Sequence, residues 1–389
     1  MSEVQQFDVN LPQPRRQRLV LGIVLALIVI GVVIAVALAL ANRSASPVIN
    51  STMKVMPATT LMFGSLHTQP DKLPNFNVIA AAWKGSKEAK QIESALELAL
   101  MQTGFNWEDD IRPWLGDQIS FGVIDVGDPQ IAAAAALPFP SSSPPSSAPL
   151  PGIIIAAQTI DRAKSDAFLA SLRKELEKQT DNPYSKVTVQ DETYRGIPVV
   201  YLKSESSSDV RSPMPTVQPA YATINDTIVF ALNYDALQKA IDASIDGTNL
   251  TQSANFNNTL GALPGEHLAT FYVDLPAYVN ATAQQAAAQK DLLNDSFKDL
   301  PGASKQMYEQ MLKDQEVRLQ AMQETAKAVG GMGVTMSYEP SGVRFDTALQ
   351  IEPSRLPEAQ RQLYEVNLKP ISGKIPETAP VSTFLLLNS

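Results

Sequence analysis

The chain has 389 residues, a net charge of −9, two histidines and no cysteine. The missing thiols exclude disulfides, thiolate metal sites, iron–sulfur clusters and cysteine nucleophiles, and two imidazoles leave little material for metal centres or catalytic triads. The acidic balance disfavours a nucleic-acid reader, because backbone phosphates need a basic footprint, and no nucleic-acid partner is expected.

Residues 1–18 form a short tail carrying Arg15, Arg16 and Arg18. Residues 19–41, LVLGIVLALIVIGVVIAVALALA, are apolar without interruption. As a helix this run spans roughly 34 Å, enough for a hydrocarbon core of about 30 Å, and such a helix satisfies its own backbone. The arginines before it outnumber Arg43 after it, which predicts a cytoplasmic N-terminus and an extracytoplasmic remainder. The competing reading is a cleaved signal peptide ending near Ala39-Leu40-Ala41, but a signal h-region runs only about 7–15 residues. A retained single-pass signal-anchor is therefore expected, with the lipid bilayer as its partner through residues 19–41.

Residues 42–55 read as a polar tether. Pro57 then leads into a short strand, LMFGSL. A helix is predicted over 86–103, with Ser86 as N-cap and Gly104 as terminator, and a strand over 118–126. Residues 127–151, rich in Pro, Ser and Ala, lack packing periodicity and read as a flexible loop. A strand over 152–158 follows. Next comes a helix over 162–179, capped by Asp161 and burying Leu169, Leu172 and Leu176. Strands are predicted over 186–190, 197–202, 221–224 and 227–232, the last two joined at Asn225-Asp226. Residues 204–219 form a second flexible loop. A helix over 236–245 buries Leu237, Ala240 and Ile241 and ends at Gly247.

The order then partly repeats from Leu263-Pro264. A strand, ATFYVDL, precedes a long Ala-, Gln- and Met-rich helical region with periodic Tyr308, Met311, Leu319, Met322, Ala326 and Val329, broken by Gly330 and Gly331. Strands over 332–338 and 343–351 form a hairpin, and a helix over 356–366 closes the set. The expected fold is α+β: mostly antiparallel sheets with helices packed on one face, in two partly repeated strand-helix-strand-strand-helix modules. The first spans 56–262 and the second 263–389, with the transmembrane helix before them. A third start at Ile375-Pro376 leads into STFLLL, which either folds back to complete a sheet or marks a chain shortened from a longer parent.

These blocks carry a resemblance. The anchor, MPATTLMF, GFNWEDDIRPWLGDQISFGV, IIIAAQTIDRAKSDAFLASL, YRGIPVVYL, AYATINDTIVFALNYDALQKAID and LPGEHLATFYVDL resemble, in this order, the bacterial membrane-anchored domain-of-unknown-function family 3352. The resemblance implies a bacterial, extracytoplasmic α+β protein and brings no activity or site residue with it.

Candidate chemistry is sparse. Glu108, Asp109, Asp110 and Asp117 crowd around Trp107 and Trp114, but EDDIRPWLGD lacks the alternating oxygens and mid-loop glycine of a calcium site. The alternative is a connection whose tryptophans pack while its acids face water, with Asp110 capping a turn. Met307, Met311, Met322, Met332 and Met336 suggest soft Cu(I), yet unbranched Met more often fills a core seam. His67 and His267 have no nucleophile motif nearby and read as surface or strand-end residues. No P-loop or dinucleotide fingerprint occurs. Asn-x-Ser/Thr sequons, as at Asn50 and Asn225, follow from composition. No catalytic, cofactor or metal residue is assigned. The expected function is a non-enzymatic cell-envelope interaction module, bound to an envelope protein. The alternative is a carrier or sensor for an apolar ligand such as a lipid, held between sheet and long helix. A hydrolase built on Asp109 and Asp110 ranks third.

Overall fold

The computed structural model describes residues 51–77, 104–125, 151–180, 187–204, 218–263, 267–284, 286, 302–339, 342–356, 358, 361 and 384–388. The 19–41 run, the predicted 86–103 helix and most of both predicted loops lie outside the described residues, as does nearly all of the predicted 356–366 helix. No helix among the described residues is long and apolar enough to cross a membrane.

Eleven strands make one sheet: β1 (Met62–His67), β2 (Leu115–Asp125), β3 (Gly152–Thr159), β4 (Val187–Tyr194), β5 (Ile197–Ser204), β6 (Ala220–Ile224), β7 (Thr227–Ala231), β8 (Ala269–Asp274), β9 (Val329–Glu339), β10 (Gly342–Ile351) and β11 (Phe384–Asn388). Their spatial order is β11-β10-β9-β8-β1-β2-β3-β7-β6-β5-β4. Every neighbouring pair is antiparallel except β10–β11, where the last strand folds back parallel to its neighbour. The helices are α1 (Arg162–Thr180), α2 (Tyr234–Asp246), α3 (Ala254–Gly261), α4 over 275–284, and α5 (Gly302–Ala326).

Helices cover both faces of this sheet, not one. The cause is visible in β3, where Ile154, Ile155, Ala156 and Ala157 are all buried. Side chains alternate across a strand, so four consecutive apolar residues demand two covers. Ile154 and Ala156 pack with Leu237, Ala240 and Ile241 of α2, while Ala157 and Ile228 pack with Phe168 and Leu169 of α1. The α1 face continues through Leu172 and Leu176 onto Leu202 and Tyr221. Asp161 caps α1 by accepting the Lys164 N–H at 3.1 Å. Asn233 caps α2 through the Ala236 N–H at 2.8 Å, and Gly247, at φ 71°, ends it.

Residues 51–55, read from sequence as the end of a polar tether, are folded. Ser51–Val55 is a 3-10 turn whose Thr52, Met53 and Val55 are buried, because Met53, Val55 and Met56 fill the same core as Phe63 and Leu250. The hydroxyls of Thr52 and Ser120 hydrogen-bond at 2.6 Å.

Gly330 and Gly331 lie inside β9 rather than at a helix end, since α5 stops at Ala326. A Cβ on Gly331 would overlap Thr259 and Tyr272, and one on Gly333 would press on Thr259, Leu260 and Leu263. These bare positions let α3 lie directly on the strand.

Candidate functional site

The acidic cluster is a folded turn. Trp107–Ile111 forms one π-type turn behind Asn106, whose side-chain carbonyl accepts the Glu108 and Asp109 N–H groups at 2.8 and 3.2 Å. Asp110 returns a carboxylate oxygen to the Asn106 N–H at 2.7 Å, so its oxygens cap the turn. Glu108 pairs with Arg112 at 2.6 Å. Trp114 is buried, donates its indole N–H to the Asp110 carbonyl at 2.7 Å, and lies 5.2 Å from the Phe168 ring. No group of His, Asp and Glu suited to a metal occurs among the described residues.

Asp117 lies apart from the other acids, 3.9 Å from His67 Nε2, while His67 Nδ1 accepts the Gln69 N–H at 3.3 Å. His67 thus sits at a strand end, as its position suggests. His267 differs from the surface reading. It is half-buried, both ring nitrogens are buried without a hydrogen-bond partner among the described residues, and burial pushes its pKa down to about 4. The neutral ring is the one that tolerates such a place.

The methionines separate. Met336 is buried with Leu66, Leu268 and Ala269, whereas Met322 is 45% exposed on α5. Met307 and Met311 have side chains outside the described set.

A groove of about 240 Å³ runs between α1 and strands β5 and β6, floored by Leu169, Val200 and Tyr221. Arg162 and Arg173 flank it, both already engaged. Arg162 binds Asp166 at 2.9 Å and the Asn225 carbonyl at 3.1 Å. Arg173 binds Glu177 at 2.8 Å and forks onto Asp191, and this hydrogen bonding holds the Asp191 carboxyl below its ordinary range. Burial pushes the Tyr221 hydroxyl up to about 12.

Two arrangements leave no mark that sequence reading could have used. Arg195 forks from the β4–β5 turn onto Asp242 and Asp246 of α2 at 2.8 and 2.7 Å. A buried polar row crosses five strands: Ser120 faces Ser65, Ser65 faces Thr270, Thr270 faces Thr335, and Thr335 faces Asp346. The row exists only once strand pairing is known. Its sole trace in sequence is a hydroxyl residue on each of four separate strands.

One broad, largely antiparallel sheet with helices on both faces defines a large single-sheet α+β protein. The chain belongs to DUF3352, a family of proteins of unknown function, whose model matches residues 20–389. No curated protein and no solved structure matches it.

Proposed function

We propose that the chain is a non-enzymatic, single-pass, membrane-anchored protein of the bacterial cell envelope, whose extracytoplasmic α+β domain is an interaction module for another envelope protein. The observation that carries the reading is α5. It is 25 residues long, about 37 Å. Among its described positions only Leu312 and Ala326 are buried, while Val317 and Met322 are 59% and 45% exposed. Exposed apolar side chains on a long helix suit a partner protein laid alongside. The 19–41 run and its preceding arginines support the anchor and its orientation. The engaged arginines and capped acids described above are structural uses of the groups an enzyme would need free.

The test is site-specific photo-crosslinking from Val317 and Met322 in the full-length chain in its native membrane. A discrete protein adduct is expected from these two positions and not from Lys178 on α1. Crosslinks to lipid alone would favour the apolar-carrier reading, and no adduct from either position would sink the module.

We propose further that the two halves are partly repeated. Met62–His67 and Ala269–Asp274 stand 207 residues apart, as do Met56-Pro57 and Leu263-Pro264. β1 and β8 pair about Gly64 and Phe271, themselves 207 apart, so a local two-fold axis fits between them. On one side follow β2 and β3, on the other β9 and β10. In a crystal structure, β1–β3 should superpose on β8–β10 by rotation about that axis; failure to do so refutes the repeat.

A further inference from the structure

The end of the polar row on β9 and β10 contains a chemical imbalance. Among the described residues, Thr335 Oγ1, Ser337 Oγ and Asp346 Oδ2 are buried without a hydrogen-bond partner, in residues that are 0%, 0% and 4% exposed. Thr335 faces Asp346 and Ser337 faces Arg344, so the four side chains share one face of the hairpin. Arg344 donates its Nε–H to Asp346 Oδ1, the other carboxylate oxygen. Three orphaned oxygens on adjacent residues are far from the usual condition of buried polar groups, which have partners in the protein or in ordered water.

We infer that Thr335, Ser337 and Asp346 form an internal hydration site, in which ordered water bridges the carboxylate to the two hydroxyls. Charge and coordination both select water over a metal cation. The guanidinium of Arg344 already balances the carboxylate. A hard cation such as calcium takes about six to eight oxygens, and the backbone carbonyls of a paired strand are committed to the sheet. A water needs only two to four polar partners, and it donates to the carboxylate while exchanging bonds with hydroxyls. The small side chains of Thr270 and Ser65 continue the polar row beyond Thr335. The same water pins register. A one-residue slip of β9 on β10 would carry the hydroxyls to the face of Met336 and Phe345.

The test is thermal melting of the full-length chain carrying Thr335→Val or Ser337→Ala. If water bridges these groups, each substitution removes one of its partners and lowers Tm by about 2–4 °C. If the oxygens are truly dry, an apolar replacement removes a buried orphan and raises Tm, which overturns the site. Melts with added calcium, magnesium or chelator form the second arm. No shift is expected, and a cation-dependent shift that disappears in Asp346→Asn would replace water by a metal. Should a variant not fold, a crystal structure of the unaltered chain decides. Density within hydrogen-bond distance of all three oxygens is expected, and its absence rejects the site.

Discussion

At His267 burial has removed the ring nitrogens from water without supplying a partner among the described residues. Folded, its pKa is pushed down to about 4; unfolded, it titrates near 6.5. Above about pH 6.5 both states are neutral and the residue adds no pH dependence. Between about 6.5 and 4 the unfolded chain binds a proton that the folded chain refuses, so stability falls as pH falls. Below about 4 both states are protonated and the loss is complete, at about 3 kcal/mol. His267→Phe should hold stability at pH 7, since neither ring nitrogen has a bond to lose, and should flatten the acid limb. Tm measured from pH 7 to 4 for both proteins checks this, and parallel curves would show that another group sets the limb. Arg195 is a second residue whose role depends on its place. It stands at φ 49° before Gly196 at φ 85°, the two central positions of the β4–β5 turn, in the backbone type hairpins favour. From there it offsets Asp242 and Asp246, two acids near the C-terminus of α2 where the helix dipole disfavours negative charge. Arg195→Asn keeps the left-handed backbone and loses the fork. Because the pairs are half-exposed, the expected fall in Tm is under about 4 °C, and it should shrink further in high salt.

Among the elements, α3 shows how bare backbone becomes a packing surface. Phe256 sits edge-on to Phe63 and Tyr272 at 5.6 and 5.0 Å, and Thr259 reaches the Gln350 side chain at 3.2 Å. The helix can approach this closely because β9 presents Gly331 and Gly333 beneath it. Gly331→Ala forces a methyl into Thr259 and Tyr272 and should cost about 1–3 kcal/mol, whereas Gly261→Ala meets open space and should be near neutral. Denaturant midpoints of the two variants make the comparison; equal costs would mean that close approach is not the reason for the glycine. This element is also where sequence reading fell short. Long periodic segments were legible: α1 and α2 match within two residues at either end, and their caps Asp161 and Gly247 act as their chemistry predicts. Helix α3 was not, because ANFNNTLG is short and polar, with Phe256 and Leu260 four apart as its only apolar pair. Gly330 and Gly331 mimic a helix stop, since sequence cannot tell a glycine chosen for φ from one chosen for contact. The helices' distribution over two faces was written in β3, where an unbroken apolar run replaces alternation. The unpartnered oxygens of the polar row depend on register across distant strands, which no local pattern encodes.

For the whole molecule, the sheet decides how the chain comes apart. The proposed halves meet in its middle, where β1 and β8 pair over five residues, so each half alone would present a long unpaired edge. α3 belongs to the first half by sequence, yet its Thr259 and Leu260 cover Gly331 and Gly333 of the second. Tyr272, from the second half, is fully buried in the core containing Phe63, Leu237 and Phe256. Separating the halves therefore breaks the β1–β8 pairing and divides a shared core. Residues 267–389 expressed alone should remain unfolded or aggregate through the freed β8 edge. Co-expression with residues 51–263 should recover a complex, because the surfaces being rejoined are those of an interior. In a Trp83→Phe variant of the full chain, tryptophan fluorescence follows Trp107 and Trp114 beside β2 and α1, while far-ultraviolet dichroism follows the whole sheet. The two signals should melt with one midpoint, since no strand pair in the sheet marks a boundary at which cooperation could stop. Two separated midpoints would mean that the halves fold as independent domains, and the β1–β8 pairing would then be a contact between them rather than the centre of one core.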